Sequence, residues 1–123
     1  METSPIFAKT HDLLSWLVPL TEKFPKSQRF VLARAILDAG FGLQENLVRA
    51  AKADGVLAAL RGADVALDVL RLRGRLAVDL AFLSVRQYEH FCERVDEIGR
   101  LLGGWMRRAR EGMAESRGAG IAP

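Results

Sequence analysis

The stretch VLRLRGRLAVDL, Val69 to Leu80, sets arginine at every second position (Arg71, Arg73 and Arg75) inside an otherwise apolar run. A period of two describes a strand with one charged face; a period of 3.6 describes a helix around which the arginines scatter. The longer window decides between them. Val56, Leu60, Ala63, Leu67, Leu70, Gly74, Ala77 and Ala81 recur at alternating spacings of four and three, whereas strand-like alternation lasts only from Leu70 to Arg75. The spacing predicts a helix from about Val56 to Leu83. At about 100° per residue, Arg61, Asp64, Asp68, Arg71, Arg75 and Asp79 fall on one narrow polar stripe, and nearly all the rest of the cylinder is apolar.

So wide an apolar surface needs neighbours on more than one side. Two or three helices of the same chain could supply some of them, but a second seam of Val69, Leu72, Leu76, Leu80 and Leu83 points to a subunit interface as well. Arg73 projects almost opposite the polar stripe, amid Val69, Leu76 and Leu80. An unpaired buried guanidinium costs several kcal/mol, so Arg73 must reach a carboxylate, a carbonyl or water along its aliphatic stem. An ion pair across an interface and a contact with nucleic acid or a solvated channel are both open to it.

Three further helices flank this one. Ser4 and Pro5 read as N-cap and first helical residue of a segment through Leu13, Leu14, Trp16, Leu17 and Leu20, which Pro19 should kink. After the punctuation Phe24 to Ser27, a second helix extends to about Ala53, with Phe30, Ala33, Leu37, Gly40, Leu43 or Gln44, Leu47 and Ala51 near one face, and Asp54 with Gly55 makes the stop. Ser84 and Gln87 form an S-x-x-Q capping box that starts the fourth helix, reaching about Arg110. Its Tyr88, Phe91, Val95, Ile98, Leu102 and Trp105 repeat at heptad spacing. Gly99 and Gly103 lie four apart, and glycine inside a helix costs about 1 kcal/mol relative to alanine, so the pair suggests close approach of another backbone. Arg107, Arg108 and Arg110 follow; they complement the negative end of the helix dipole, and phosphate contact is compatible with that role. Residues 1–110 thus read as one four-helix domain, and the Gly- and Ala-rich residues 111–123 as a tail that should fray.

The 123 residues suffice for one core, and half of them are apolar. No uncharged apolar run approaches the roughly 18 residues of a membrane span, and METSPIFAKTHD lacks the order of a secretory signal, so a cytoplasmic protein without membrane contact is expected. Cys92 is the only cysteine, which excludes an internal disulfide and suits a reducing compartment. Of the 18 basic residues only Lys9, Lys23, Lys26 and Lys52 are lysine. Arginine is the better residue for bidentate contact with phosphate or carboxylate, although GC-rich coding produces the same bias.

Catalytic chemistry is missing from the sequence. A di-iron bundle needs Glu-x-x-His on two helices, yet Gln87 precedes His90 and Ala8 precedes His11 at that spacing. Cys92 lies two residues from His90, so on a helix their side chains diverge by about 200°. There is no G-x-S-x-G and no P-loop, and Gly40-Phe41-Gly42 is a fragment of a dinucleotide fingerprint without a preceding strand. His11, His90 and Cys92 read as ordinary helix residues. No enzyme, metal or cofactor is expected.

Three stretches, FPKSQRF (Phe24 to Phe30), LRLRGRLAVDLAFLS (Leu70 to Ser84) and QYEHFCERVDEIGRLLGGW (Gln87 to Trp105), together resemble the bacterial four-helix-bundle family that holds the accessory variability determinant (Avd) of diversity-generating retroelements and the proteins encoded in ribosomal-RNA intervening sequences. The resemblance runs from about Leu13 to Arg108. It implies an all-α antiparallel up-down bundle assembling into a homopentameric barrel with a basic surface. In the retroelement branch it implies reverse transcriptase and RNA or DNA as partners, in support of mutagenic copying of template RNA. It places functional arginines at Arg71 and Arg75; Arg73 has no such warrant. Arg71, Arg75, Arg73, Arg107 and Arg108 are the candidate contacts to nucleic acid or polymerase, and Leu72, Leu76, Leu80, Gly99, Gly103 and Trp105 the candidate packing residues. Against this, Asp68 and Asp79 could neutralise Arg71 and Arg75 as ordinary helix ion pairs worth a few tenths of a kcal/mol. A ribosomal-RNA intervening-sequence protein and a purely structural adaptor are the alternatives.

Overall fold

Pro5 opens helix α1, Pro5–Thr21, because its fixed φ already suits a first helical position. Ser4 stands before it in extended conformation, but its hydroxyl makes no capping bond. Pro19 falls in the last turn rather than at a mid-helix kink, and the Thr21 hydroxyl closes that turn by donating to the Val18 carbonyl at 2.8 Å. The computed structural model describes residues 4–52 and 56–121, with side chains through Glu115. The stop expected at Asp54 and Gly55 lies outside the described residues.

The chain re-enters helix through a tight turn at Lys26–Gln28 and a wide, π-helical turn at Arg29–Ala33, and then runs as α2, Arg34–Lys52. The wide turn breaks the 3.6-residue phase. As a consequence Phe30, expected on the core face, is 84% exposed, and Val31 also faces outward. The face that is buried comprises Leu32, Ala33, Ile36, Ala39, Gly40, Leu43, Leu47 and Ala50, whereas Leu37 is half-buried and Ala51 exposed.

Helix α3, Val56–Asp79, follows the sequence seam closely: Leu60, Ala63, Leu67, Leu70, Gly74 and Ala77 are all buried, and Arg61, Asp64, Asp68, Arg75 and Asp79 are all exposed. It ends at Asp79 instead of Leu83. Ala81 takes a left-handed φ of 63°, the Ala81 amide donates to the Val78 carbonyl at 3.0 Å, and the Phe82 amide donates to the Ala77 carbonyl at 2.9 Å. This is a Schellman turn with alanine where glycine is usual. Leu83 consequently points into the protomer, 3% exposed, and drops out of the expected subunit seam. A left-handed alanine is strained by about 1–2 kcal/mol, and glycine returns about 0.5–1 kcal/mol of that through the unfolded chain. Ala81→Gly should therefore stabilise the protein by about 0.5–1 kcal/mol, and Ala81→Val should destabilise it, as read from urea midpoints.

Ser84 and Gln87 make the expected reciprocal cap: the Gln87 amide donates to Ser84 Oγ at 3.0 Å, and the Ser84 amide donates to Gln87 Oε1 at 2.8 Å. Helix α4 then runs Val85–Ile121, well past the end expected near Arg110. Glu111, Met113, Ala114 and Glu115 are good helix formers, and no proline intervenes before Pro123.

Each helix packs on the next and α4 returns to α1, which closes the bundle. The registers are antiparallel: Asn46 faces Gly62 and Ala35 faces Arg73 between α2 and α3; Gly74 faces Phe91 and Arg71 faces Asp96 between α3 and α4. Between α1 and α4, Phe7 meets Trp105 edge-on at 6.2 Å, and Lys9 pairs with Glu97 at 3.4 Å. Leu13, Leu17, Ile36, Leu43, Leu67, Leu70, Phe91 and Ile98 form the centre of the core. The described residues are all-α, and no helix among them is long and apolar enough to cross a membrane.

Candidate nucleic-acid interface

Arg71 and Arg75 lie one turn apart on α3, as their spacing requires. Both are held by carboxylates. Arg71 Nη1 donates to Asp68 Oδ1 at 3.0 Å, and its Nη2 lies 3.6 Å from Asp96 of α4; Arg75 Nε donates to Asp79 Oδ1 at 3.2 Å. The Asp68 and Asp79 pairs are legible in the sequence. The Asp96 contact is not, because it depends on how α3 and α4 are set against each other. With Asp79 beside it, Arg75 is held further above its already high pKa.

Gly99 serves this arrangement. A Cβ there would fall 2.6 Å from Arg71 Nη2, so the glycine seats a guanidinium and does not admit a second backbone. Gly103 faces open space, and the expected close approach of a backbone at this pair is not found among the described residues. Beside Arg71 a cavity of about 120 Å³ is lined by Tyr88, Phe91, Cys92, Val95 and Asp96. The Cys92 thiol, and then burial, hold the Tyr88 phenol above its ordinary value.

Arg73 is half-buried and donates from Nη1 to the Ala35 carbonyl of α2 at 2.6 Å. Of the partners open to it, the structure supplies a carbonyl of the same chain. Next to it the second apolar seam is uncovered at Leu72, 72% exposed, Leu76, 48%, and Leu80, 49%, with Val65 continuing the stripe along α3, whereas Val69 packs against the protomer's own core. Trp105, in contrast, is packed within the protomer against Phe7.

Arg107 and Arg108 fold back towards Gly104, where a Cβ would lie 3.3 Å from Arg108 Nη1 and 3.9 Å from Arg107 Nη2. Neither has a carboxylate within 4.0 Å among the described residues. Because α4 continues to Ile121, Arg107, Arg108 and Arg110 are not in its last turn, and complementing the helix dipole does not explain them.

Sequence reasoning passed over one basic cluster. Arg94 Nε donates to His90 Nε2 at 2.6 Å, and the Trp16 ring of α1 lies 4.7 Å from the His90 ring. The i, i+4 spacing of Arg86, His90 and Arg94 was available as a signal, but the approach of α1 that brings Trp16 to them was not.

Among the described residues no group of three histidine, cysteine or acidic side chains could hold a metal ion. No curated protein matches the chain. A family model described as bAvd-like matches residues 6–109, a span that begins in α1 and takes in every helix of the bundle. With that match over most of its length, the chain belongs to the bAvd-like family.

Proposed function

We propose that the chain is a non-enzymatic, cytoplasmic accessory subunit of a diversity-generating retroelement. Five copies form a barrel that binds the element's reverse transcriptase together with template RNA or its cDNA. The observation that carries this reading is the uncovered apolar stripe on α3, Val65, Leu72, Leu76 and Leu80, on a chain whose family match spans the bundle. Large apolar side chains exposed in a row mark an interaction surface, and assembly through them would multiply the arginines around a ring.

Arg71 and Arg75 reach phosphate in this reading by exchanging carboxylate partners. Exposed ion pairs of this kind are worth about 0–1 kcal/mol, and an arginine has five donors to share, so the aspartates do not bar a polyanion. The same ion pairs favour a second reading, a structural adaptor in which the stripe is internally neutralised. Salt titration of RNA binding separates the two. Single-stranded contacts contribute a slope of about 0.7 per phosphate in log K against log salt, so Arg71→Ala/Arg75→Ala should lower the slope by about 1.4 and weaken polymerase capture. An intact pentamer with unchanged slope and unchanged capture would remove these arginines from the interface. No salt-sensitive binding at all would leave the adaptor. A ribosomal-RNA intervening-sequence protein would bind RNA with no reverse transcriptase to capture.

A further inference from the structure

Arg86, His90 and Arg94 stand at successive turns of α4, facing Trp16 of α1 across an open groove of about 460 Å³ that Gln87 completes. That volume is within the usual range for a ligand site. Arg94 is fixed by its Nε bond to the His90 Nε2 lone pair, an arrangement that puts the imidazole hydrogen on Nδ1. Its two terminal amino groups make no hydrogen bond among the described residues. Neither Arg86 nor Arg94 has a carboxylate within 4.0 Å among the described residues, although Glu89 and Glu93 are close in sequence. The cluster is thus built unlike the α3 stripe, where each central arginine has an aspartate. Arg86 is also placed against its own helix: a cation in the first turn of α4 opposes the helix dipole. Two guanidiniums without a carboxylate partner, beside an indole, suit an anion that carries an aromatic ring.

We propose that this groove is a nucleotide subsite for single-stranded nucleic acid, in which an unpaired base stacks on Trp16 and the adjoining phosphates lie between Arg86 and Arg94. The inference rests on the nucleic-acid reading above and deepens it by choosing the strandedness. Bases inside a duplex present only their edges, so an indole in a groove is reached by an unstacked base. Phosphate contact alone would need no aromatic wall.

The test uses the full chain with Trp105→Phe, which leaves Trp16 as the sole tryptophan of the two in the sequence. Single-stranded oligoadenylate should quench Trp16 fluorescence, and an abasic oligomer of equal length and charge should bind without quenching it. Trp16→Ala should weaken oligoadenylate binding by about 5- to 100-fold and leave duplex binding unchanged. Since Trp16 also packs against the core, Arg86→Gln/Arg94→Gln gives a second variant that leaves the apolar core untouched and should lower the single-strand salt slope by about 1.4. Tight binding with no quenching, and with single-strand affinity and slope unaffected by either variant, would overturn the subsite while leaving the general reading intact. Failure of every oligomer to bind the unaltered chain at low salt would overturn both.

Discussion

Phe91→Ala should cost about 3–5 kcal/mol of unfolding free energy, and on that background Gly74→Ala should change from harmful to neutral or favourable. Phe91 is 1% exposed, and its ring fills the space that a side chain at position 74 would occupy: a Cβ on Gly74 would lie 2.6 Å from Phe91 Cζ. Gly74 is on the buried seam of α3 and Phe91 on that of α4, so the two meet inside the helix interface. In the unaltered chain Gly74→Ala gains about 1 kcal/mol of helix propensity and loses about 1–3 kcal/mol to overpacking. Once the ring is gone, only the gain remains. Urea unfolding of the two single variants and the double variant, at one protein concentration, measures the cycle; a coupling below about 0.5 kcal/mol would show that the ring does not set the size limit at position 74. Against a total stability of about 5–15 kcal/mol, the Phe91→Ala loss alone threatens the fold.

That pair also shows where sequence reading stops. Gly74 belongs to the buried seam of α3 on spacing alone, and the seam, the polar stripe and the Ser84–Gln87 box are legible because each is set within one helix or one turn. Phe91 as the reason for Gly74 depends on the α3–α4 register, as do the Asp96 contact of Arg71 and its seat on Gly99. Local conformation hid other features. The wide turn at Arg29–Ala33 has no residue signature, so helical spacing alone puts Phe30 on the core face, whereas it faces solvent. Ala81 bends the chain where a glycine would have announced the stop. At the other end of α4, glycine content suggests fraying from residue 111, yet the described backbone stays helical to Ile121. The basic site is divided in the same manner: Arg71, Arg75, Arg107 and Arg108 stand out from sequence, whereas their sorting into carboxylate-bound and unneutralised groups required the packed helices.

On the proposed pentamer, joined through the α3 stripe, Leu72→Asp/Leu76→Asp should give folded monomers. In the free protomer both side chains are already wetted, 72% and 48% exposed, so the carboxylates remain hydrated and the helical signature and urea midpoint should change little. In an interface each replaced leucine forfeits part of the roughly 1.5–3 kcal/mol of its burial, and each unpaired buried carboxylate costs several kcal/mol more. A ring repeats that penalty at every junction. Native mass measurement reads the outcome, and an unaltered oligomer would place the interface elsewhere, with the exposed Phe30 and Val31 the next surface to alter. Dissociation should also separate two contributions to nucleic-acid binding. A short oligonucleotide that fits one protomer meets the same Trp16, Arg86 and Arg94 in monomer and assembly, so its affinity should not change. In the proposed assembly a long single strand would engage several protomers at once, and linked sites of this kind gain about 10²–10⁴-fold in affinity without any new contact. The monomeric variant should therefore lose about 10²-fold or more on long RNA and nothing on short; equal losses on both would mean that the subunit interface itself builds the binding site.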